Sequence, residues 1–485
     1  MGQLKKLLIL FSLLLLISKN YGQQTSEKWL QDYEFIKLSL IEGYSNLDWI
    51  KKEGEIDIVS LDKKTKEALS KASSKNEVKT ILDNFLSAFN DGHLELFQNN
   101  NYLITENSEK FNSKTTAKDL CSYIGNSNVS TKEFSLPFEK LTSFKLISKN
   151  SDPFTIGLFK LENGKQFAVL RISIFSPDFY TQSCEEIWEI YRNSISDTCG
   201  DNCLNNFSIK LANSLLEKLN QQLEILQKNK FEALIVDIGD NGGGTNWVDA
   251  IARTLTSKPL YASKFALVKH PKSVEIFESN LKEINLDLEN KNLNKKEKQF
   301  LTSAKKNLEK LITQAKNNCN NSTFWTSNES LQTCMMTTSA PFFASGLFPY
   351  LNKNEIKNLN SKFVLFSPSL YNYKESSYKG KLVVLINRNT ASAAEYFAAL
   401  LKDNNAAEIL GEKTYGAGGG FVDGGVEYIL PNTKFILKIP NCTRYRADGS
   451  NEFIGVESDV PVWNKTDDNA KKLDKLLMIL QNVKN

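Results

Sequence analysis

The chain has 485 residues, of which 41% are hydrophobic and 24% charged, a composition typical of a folded globular protein with a large core. The formal net charge of +4 is small, and basic residues are interleaved with acidic ones, so nucleic-acid binding is not favoured. The chain contains only two histidines, His93 and His270, which excludes a zinc site built from several histidines.

The first 22 residues have the pattern of an export signal. Lys5 and Lys6 precede an apolar run, Leu7–Ile17, after which the sequence turns polar. That run is too short to span a membrane comfortably. We therefore expect a signal peptide at residues 1–22 and a secreted or periplasmic protein that is not inserted in the membrane after cleavage. A retained anchor is the alternative.

The seven cysteines fit an oxidising compartment. The spacing suggests local disulfides between Cys199 and Cys203 and between Cys319 and Cys334. Cys121 and Cys184 are candidates for a third disulfide, which would leave Cys442 as a free thiol. Six cysteines allow 15 pairings, so the sequence leaves the choice open. A zinc site is the weaker interpretation, since no second Cys or His pair has the required spacing.

The first half of the mature chain divides into three regions. Residues 23–100 carry apolar side chains at helical spacing, as in Val78, Leu82 and Phe85, and predict a small helical N-terminal domain. Residues 101–150 are polar and irregular and read as a connecting region. Two strands near residues 154–161 and 167–175 then open a larger α/β unit, residues 151–466.

Within this unit, an amphipathic helix over residues 207–228 leads to the apolar run Ala233–Ile238. Such a run is typical of a central strand covered on both faces. The glycine-rich segment Asp240–Thr245 follows, and a helix begins near Trp247, so backbone amides are free to approach a ligand. The segment lacks a Walker ending and dinucleotide-fingerprint spacing, which disfavours nucleotide binding.

A helical hairpin is predicted as an insertion at about residues 265–345. Its charges fit a solvated helical face, and the alternative is a lid or wall over a site. Strands near residues 425–430 and 435–439 follow, and residues 467–485 form a closing amphipathic helix.

Ser392 lies where a buried-type strand, Leu382–Ile386, turns into a helix that starts with small residues. It is either a helix cap or a nucleophile beside free backbone amides. Two parallel strands, each followed by a turn and a helix, would bring Ser392 and the glycine segment to one sheet edge. Acyl transfer needs two N–H donors about 3 Å from the developing oxyanion. Gly243 or Gly244 is one predicted donor, and Ala393 is the other.

Three segments resemble motifs of the C-terminal processing (tail-specific) serine proteases, a family that includes the tricorn core protease and the repeats of interphotoreceptor retinoid-binding protein. They are Asp237–Gly244, where Gly239 replaces the family's arginine, Thr390–Glu395 and Gly411–Gly416. The resemblance extends roughly from Trp29 to the C-terminus. It implies an α/β, crotonase-like protease core, and Ser392 as the nucleophile of a peptidase. Peptides or proteins are the implied substrates, their C-terminal ends among them, and no metal or organic cofactor is implied.

The resemblance also directs the choice of base. Tail-specific members use a lysine about 25 residues after the serine, where this chain has Ala417, and Lys413 is expected on the surface. The tricorn-like branch takes a histidine from the N-terminal helices, and Asp91–His93 resembles that motif. His93 is therefore the predicted base, because imidazole accepts a proton near its usual pKa of about 6.5. His270 is expected on the surface.

A glutamate near the end of the core supports the histidine in that branch. Glu452 is the better match here, and Glu457 is the fallback. The branch also has a serine before its histidine, where this chain has Gly92, so the link from carboxylate to base is open. Two other interpretations remain: a binding protein that keeps the fold without catalysis, and an esterase that uses the same serine.

Overall fold

The structure is a computed structural model that describes residues 26–53, 56–98, 111–125, 132–195, 198–317, 324–326, 335–463 and 466–482. The predicted signal peptide and the suggested Cys319–Cys334 pair lie outside these residues. In the described part of the chain, no helix has both the length and the apolar character needed to cross a membrane.

Helices and strands alternate along most of the chain. The helices are α1 (26–43), α2 (Leu47–Glu53), α3 (Ile58–Lys71), α4 (Lys75–Ser87), α5 (Ala117–Ile124), α6 (Thr181–Tyr191), α7 (Asp201–Leu226), α8 (Trp247–Thr254), α9 (Pro271–Leu288), α10 (Lys295–Ala315), α11 (Lys362–Leu365), α12 (Ala393–Asp403) and α13 (Asn469–Gln481). The strands are β1 (Glu95–Phe97), β2 (Lys145–Leu146), β3 (Thr155–Lys160), β4 (Gln166–Arg171), β5 (Ala233–Asp237), β6 (Lys264–Leu267), β7 (Lys381–Ile386), β8 (Glu408–Gly411), β9 (Val426–Ile429), β10 (Ile436–Ile439), β11 (Cys442–Tyr445) and β12 (Val460–Pro461).

A seven-stranded sheet forms the centre of the molecule, in the order β12-β8-β7-β5-β4-β3-β2. Five neighbouring strands of this sheet pair in parallel: β4, β5, β7, β8 and β12. At the other side, β3 and β2 extend the sheet with antiparallel pairing. Alternate residues of β5 enter different cores: Leu234 and Val236 pack on one face, Ala233 and Ile235 on the other. The apolar run therefore reflects burial on both faces, and the mixed α/β class agrees with the sequence prediction.

The N-terminal helices share their core with strands from the other end of the chain. Side chains of α1, α3 and α4 pack in one cluster with residues of β9 and β10. The short strand β1, which the sequence did not predict, pairs antiparallel with β10. Two aromatic residues of the insertion, Phe324 and Trp325, complete the cluster. The segment that carries His93 is therefore attached to the C-terminal part of the fold.

The predicted hairpin is formed by α9 and α10, whose apolar faces build a separate core around Phe277, Leu301 and Leu308. His270 differs from the surface position expected for it. Its Nδ1 accepts a hydrogen bond from the N–H of Lys272 at 3.0 Å, which caps α9, and its Nε2 lies 3.1 Å from Tyr428 Oη. Burial lowers the pKa of His270, so this histidine is a half-buried helix cap.

Two of the suggested disulfides are present, Cys121–Cys184 and Cys199–Cys203. The first joins α5, which lies within the region predicted as a connection, to α6. Cys442 is a buried free thiol.

Candidate active site

The backbone turns sharply at Ser392, between the end of β7 and the first residue of α12. Its φ is +54° and its ψ is −118°, a conformation that costs a residue with a side chain about 1–3 kcal/mol. The turn resembles the strained nucleophile elbow of α/β-hydrolases, although the Gly-x-Ser-x-Gly pattern is absent. Such strain persists only where the surroundings enforce it, so the contacts of Ser392 are informative.

His93 approaches Ser392 from the N-terminal part of the chain, 299 residues away. Its Nε2 lies 3.2 Å from Ser392 Oγ, within hydrogen-bonding reach. The imidazole packs edge-on against Phe421, with 5.2 Å between ring centroids. A Cβ on Gly420, which has a φ of +102°, would lie 3.1 Å from His93 Nε2. A larger residue at position 420 would therefore displace the imidazole ring.

The carboxylate of Asp91 contacts the other side of the imidazole. Asp91 Oδ1 lies 3.3 Å from His93 Nδ1 and accepts the backbone N–H of His93 at 2.9 Å. Asp91 Oδ2 accepts the buried hydroxyl of Tyr44 at 2.7 Å. These contacts orient the ring so that Nε2 faces Ser392. Asp91 belongs to the motif that predicted His93, but no role for its carboxylate was predicted from the sequence.

Gly92 stands where the tricorn-like branch has a serine, and Tyr415 fills the space beside it. A Cβ on Gly92 would lie 3.3 Å from Tyr415 Cε1 and 3.4 Å from its Oη. The phenol of Tyr415 thus lies next to the place that the serine side chain would take.

The predicted oxyanion donors differ in their hydrogen bonds. The N–H of Gly243 donates to Asn241 Oδ1 at 2.9 Å, so it is used within its own loop. The N–H groups of Gly244 and Ala393 donate to no acceptor in the part of the chain that the structure describes, and both residues line the cleft at Ser392. Gly244 is therefore the better placed of the two predicted glycines.

The glycine loop and the serine turn are tied together directly. The N–H of Ala391 donates to the carbonyl of Asn241 at 2.9 Å, and Thr390 Oγ1 donates to the carbonyl of Ile238 at 3.1 Å. A Cβ on Gly243 would lie 2.8 Å from Ser392 Cβ, so the loop approaches the serine more closely than another residue would permit.

Gly239 stands where the family motif has an arginine, and other side chains occupy the space around it. A Cβ at this position would lie 2.5 Å from Ser135 Oγ, so the serine occupies the space of a side chain. Arg171, on the neighbouring strand β4, donates to the carbonyl of Gly239 at 2.6 Å and lies 3.2 Å from Asp237 Oδ1. A guanidinium is thus present at the loop, but it comes from another strand.

Glu452 is fully buried, and its carboxylate pairs with the guanidinium of Arg444. Arg444 Nη2 also donates to the backbone carbonyl of Ser392 at 3.1 Å. Glu452 therefore reaches the site through Arg444 and the serine backbone. The fallback residue Glu457 pairs with Lys413 at 2.8 Å, and both side chains are exposed.

Glu395 was missed as a site residue because it looks like an ordinary acidic residue in the first turn of a helix. Its carboxylate is fully buried and accepts four hydrogen bonds. The donors are Ser392 N at 2.9 Å, Thr414 Oγ1 at 2.6 Å, Gly416 N at 2.7 Å and Ala417 N at 2.8 Å. Burial, with the nearby Glu452 charge as a further cause, raises the pKa of Glu395. The carboxylate fastens the loop that contains Ala417 to the serine turn.

A cavity of about 600 Å³ opens in front of Ser392 and His93. Its described charged side chains are Arg444, paired with Glu452, and Asp423, paired with Lys272 at 2.7 Å. The insertion supplies part of the wall. The apolar lining includes Phe265, Ile276, Phe342, Phe363, Phe421 and Val422. The cleft is therefore suited to an uncharged, apolar ligand segment.

A hydroxyl beside an imidazole, with unused amides at the edge of a mostly parallel sheet, is the arrangement of a serine hydrolase. A family model described as peptidase family S41 matches residues 204–462, more than half of the chain. The chain therefore belongs to peptidase family S41, which is a family of serine-type peptidases. The matched range contains Ser392, and His93 lies before it.

Individual relatives agree with this assignment. The carboxyl-terminal-processing protease of Synechocystis sp. is 50% identical over 44 residues, which are 9% of this chain and 10% of that relative. Mature CPAF complexed with lactacystin has a TM-score of 0.58 at 16% identity, over 94% of this chain and 98% of that chain. A second structure of mature CPAF gives 0.55 at 16% identity, over 94% and 97%. At this identity the structural likeness concerns the fold.

Proposed function

We propose that this protein is an exported serine peptidase in which His93 is the general base for Ser392. The observation that carries the proposal is the 3.2 Å separation between His93 Nε2 and Ser392 Oγ. A binding protein has no need to hold a hydroxyl, an imidazole and two unused amides together. The domain arrangement that we propose is a helical segment, residues 23–100, that presents the base to a crotonase-like core, residues 151–466.

In the proposed reaction, Ser392 Oγ attacks the carbonyl carbon of a peptide bond and its proton passes to His93 Nε2. The N–H groups of Gly244 and Ala393 stabilise the oxyanion, while Asp91 stabilises the imidazolium at Nδ1. The same imidazole then returns the proton to the leaving amine as the C–N bond breaks. Water, deprotonated by His93, then attacks the acyl carbon; the bond to Ser392 Oγ breaks, Oγ takes the proton back from His93, and the carboxylic acid product is released.

The substrate class follows from the cleft. Its apolar walls and paired charges favour an extended peptide with uncharged, apolar side chains near the bond that is cut. The likeness to C-terminal processing proteases makes the C-terminal ends of proteins the first substrates to test.

Labelling with a fluorophosphonate probe, followed by peptide hydrolysis assays, tests the proposal. We expect the intact protein to be labelled and to cleave apolar peptides, and Ser392→Ala and His93→Ala to lose both properties. Labelling that survives in Ser392→Ala would refute the nucleophile. Unchanged labelling and cleavage rates in His93→Ala would refute the base. Ester hydrolysis without peptide cleavage would identify the protein as an esterase.

A further inference from the structure

Arg444 lies between the buried carboxylate of Glu452 and the backbone of the nucleophile. It is a residue of β11, where it pairs with Phe265 of β6, and its side chain reaches the backbone carbonyl of Ser392 at the start of α12. Only 4% of the side chain is exposed, and none of that of Glu452. The guanidinium also packs over the ring of Tyr396, 5.1 Å from its centroid. Its position is therefore fixed by three independent contacts.

This pair is poorly suited to a purely stabilising role. Burying two charges costs as much free energy as their attraction returns unless all their polar atoms are satisfied. Here Arg444 Nε and Glu452 Oε2 are buried without a hydrogen-bond partner among the described residues. A well-packed apolar pair would stabilise the fold at least equally well, so a different role has to explain the charges.

The carbonyl that Arg444 contacts belongs to the proposed nucleophile, whose backbone conformation needs support. Ser392 has a positive φ, and its N–H is held from the opposite side by Glu395. With the guanidinium of Arg444 on the carbonyl and a carboxyl oxygen of Glu395 on the N–H, both peptide groups that flank the serine are fixed. Fixing them directs Oγ towards His93 and leaves the N–H of Ala393 facing the cleft.

We propose that Arg444 is a positioning residue that holds Ser392 in its reactive conformation, and that Glu452 contributes to catalysis by fixing Arg444. This inference rests on the proposed function. It differs from the expectation that Glu452 supports the histidine, since the carboxylate acts on the nucleophile through a guanidinium.

The test compares Arg444→Met with a matched control, Arg446→Met. Arg446 lies two residues further along and pairs with Asp403 at the other end of α12, with Nε 2.9 Å from Oδ2. Both changes break a largely buried ion pair and remove an arginine that contacts one end of α12. We expect Arg444→Met to lower kcat about 10- to 100-fold with KM changed less than about threefold, because a charge-assisted hydrogen bond is lost in the reacting state. Fluorophosphonate labelling should slow in parallel, whereas Arg446→Met should retain both rates.

A double-mutant cycle with Glu452→Gln separates the two possible roles of the carboxylate. If Glu452 acts through Arg444, the double variant is no slower than Arg444→Met, and it melts at a higher temperature because no uncompensated charge remains. If the losses in kcat of Arg444→Met and Glu452→Gln multiply in the double variant, the two residues act independently and the inference is overturned. It is also overturned if Arg446→Met loses as much activity as Arg444→Met. If Arg444→Met does not fold, the double variant and Arg444→Lys are measured instead, and wild-type rates in both would overturn it.

The outcomes also separate this inference from the proposed function. Labelling that survives in Ser392→Ala refutes the function itself. Labelling that is lost in Ser392→Ala but proceeds at the normal rate in Arg444→Met refutes only the role of Arg444.

Discussion

Replacement of Asp91 by asparagine tests whether this carboxylate supports the base. The change keeps an oxygen that can accept the backbone N–H of His93, so the local turn is retained. It removes the negative charge that faces Nδ1 when the imidazole takes the serine proton. Close charge pairs couple by about 1.5 kcal/mol or more, and the 3.3 Å separation between Asp91 Oδ1 and His93 Nδ1 places this pair at the low end. We therefore take about 1.5–2 kcal/mol, which corresponds to a loss of about 10- to 30-fold in kcat/KM.

The assay is steady-state hydrolysis of an apolar peptide, with thermal unfolding measured on the same samples. Tyr44→Phe is the matched control, because it removes the hydroxyl on Asp91 Oδ2 and leaves the contact with His93 intact. We expect it to retain kcat/KM within about threefold. If Asp91→Asn is folded and its kcat/KM is also within about threefold of that of the intact protein, Asp91 does not support the base and the reasoning is wrong.

Three further predictions concern other positions. Gly243→Ala should abolish most activity, because its Cβ would lie 2.8 Å from Ser392 Cβ at a φ of +112°, whereas Gly242→Ala has nothing within 4 Å and should remain active in the peptide assay. Equal activity in both variants would contradict the close approach of the loop. Burial raises the pKa of Asp48 to about 6 from a usual 3.8. The buried carboxyl therefore favours the folded state while it is protonated, fully so below pH 3.8, and this stabilisation is lost as the pH rises through 6. The full difference corresponds to about 3 kcal/mol, which partial exposure reduces to about 1 kcal/mol, so Asp48→Asn should unfold at higher denaturant at pH 7.5 and equally at pH 4. Equal denaturation midpoints at pH 7.5 would show that Asp48 is not desolvated. Burial raises the pKa of the Cys442 thiol to about 12, so iodoacetamide should modify Cys442, located by peptide mapping, at pH 8 only after denaturation. Rapid modification of Cys442 itself in the native protein would contradict its burial.

Four neighbouring strands of the large sheet, β3, β4, β5 and β7, and the position of Ser392 were accessible from sequence because they depend on local patterns. An apolar strand followed by a turn and small helical residues is read from about a dozen neighbours. Arg444 could not be found in this way, since it meets Ser392 across 52 residues and no local pattern marks it. Strand β1 is only three residues long, too short for a periodic signal, and it exists because β10 offers an unpaired edge. Glu395 was hidden because burial, which changes its role, is a tertiary property.

The pairing of β1 with β10 has a consequence for the order in which the protein becomes active. The residues that carry the proposed base are synthesised well before the strand that pairs with β1, Ile436–Ile439. The imidazole has no support beside the serine until that strand has paired. On the proposed role of His93, a partly made chain is expected to be inert, and activity should appear only once β1 has paired with β10.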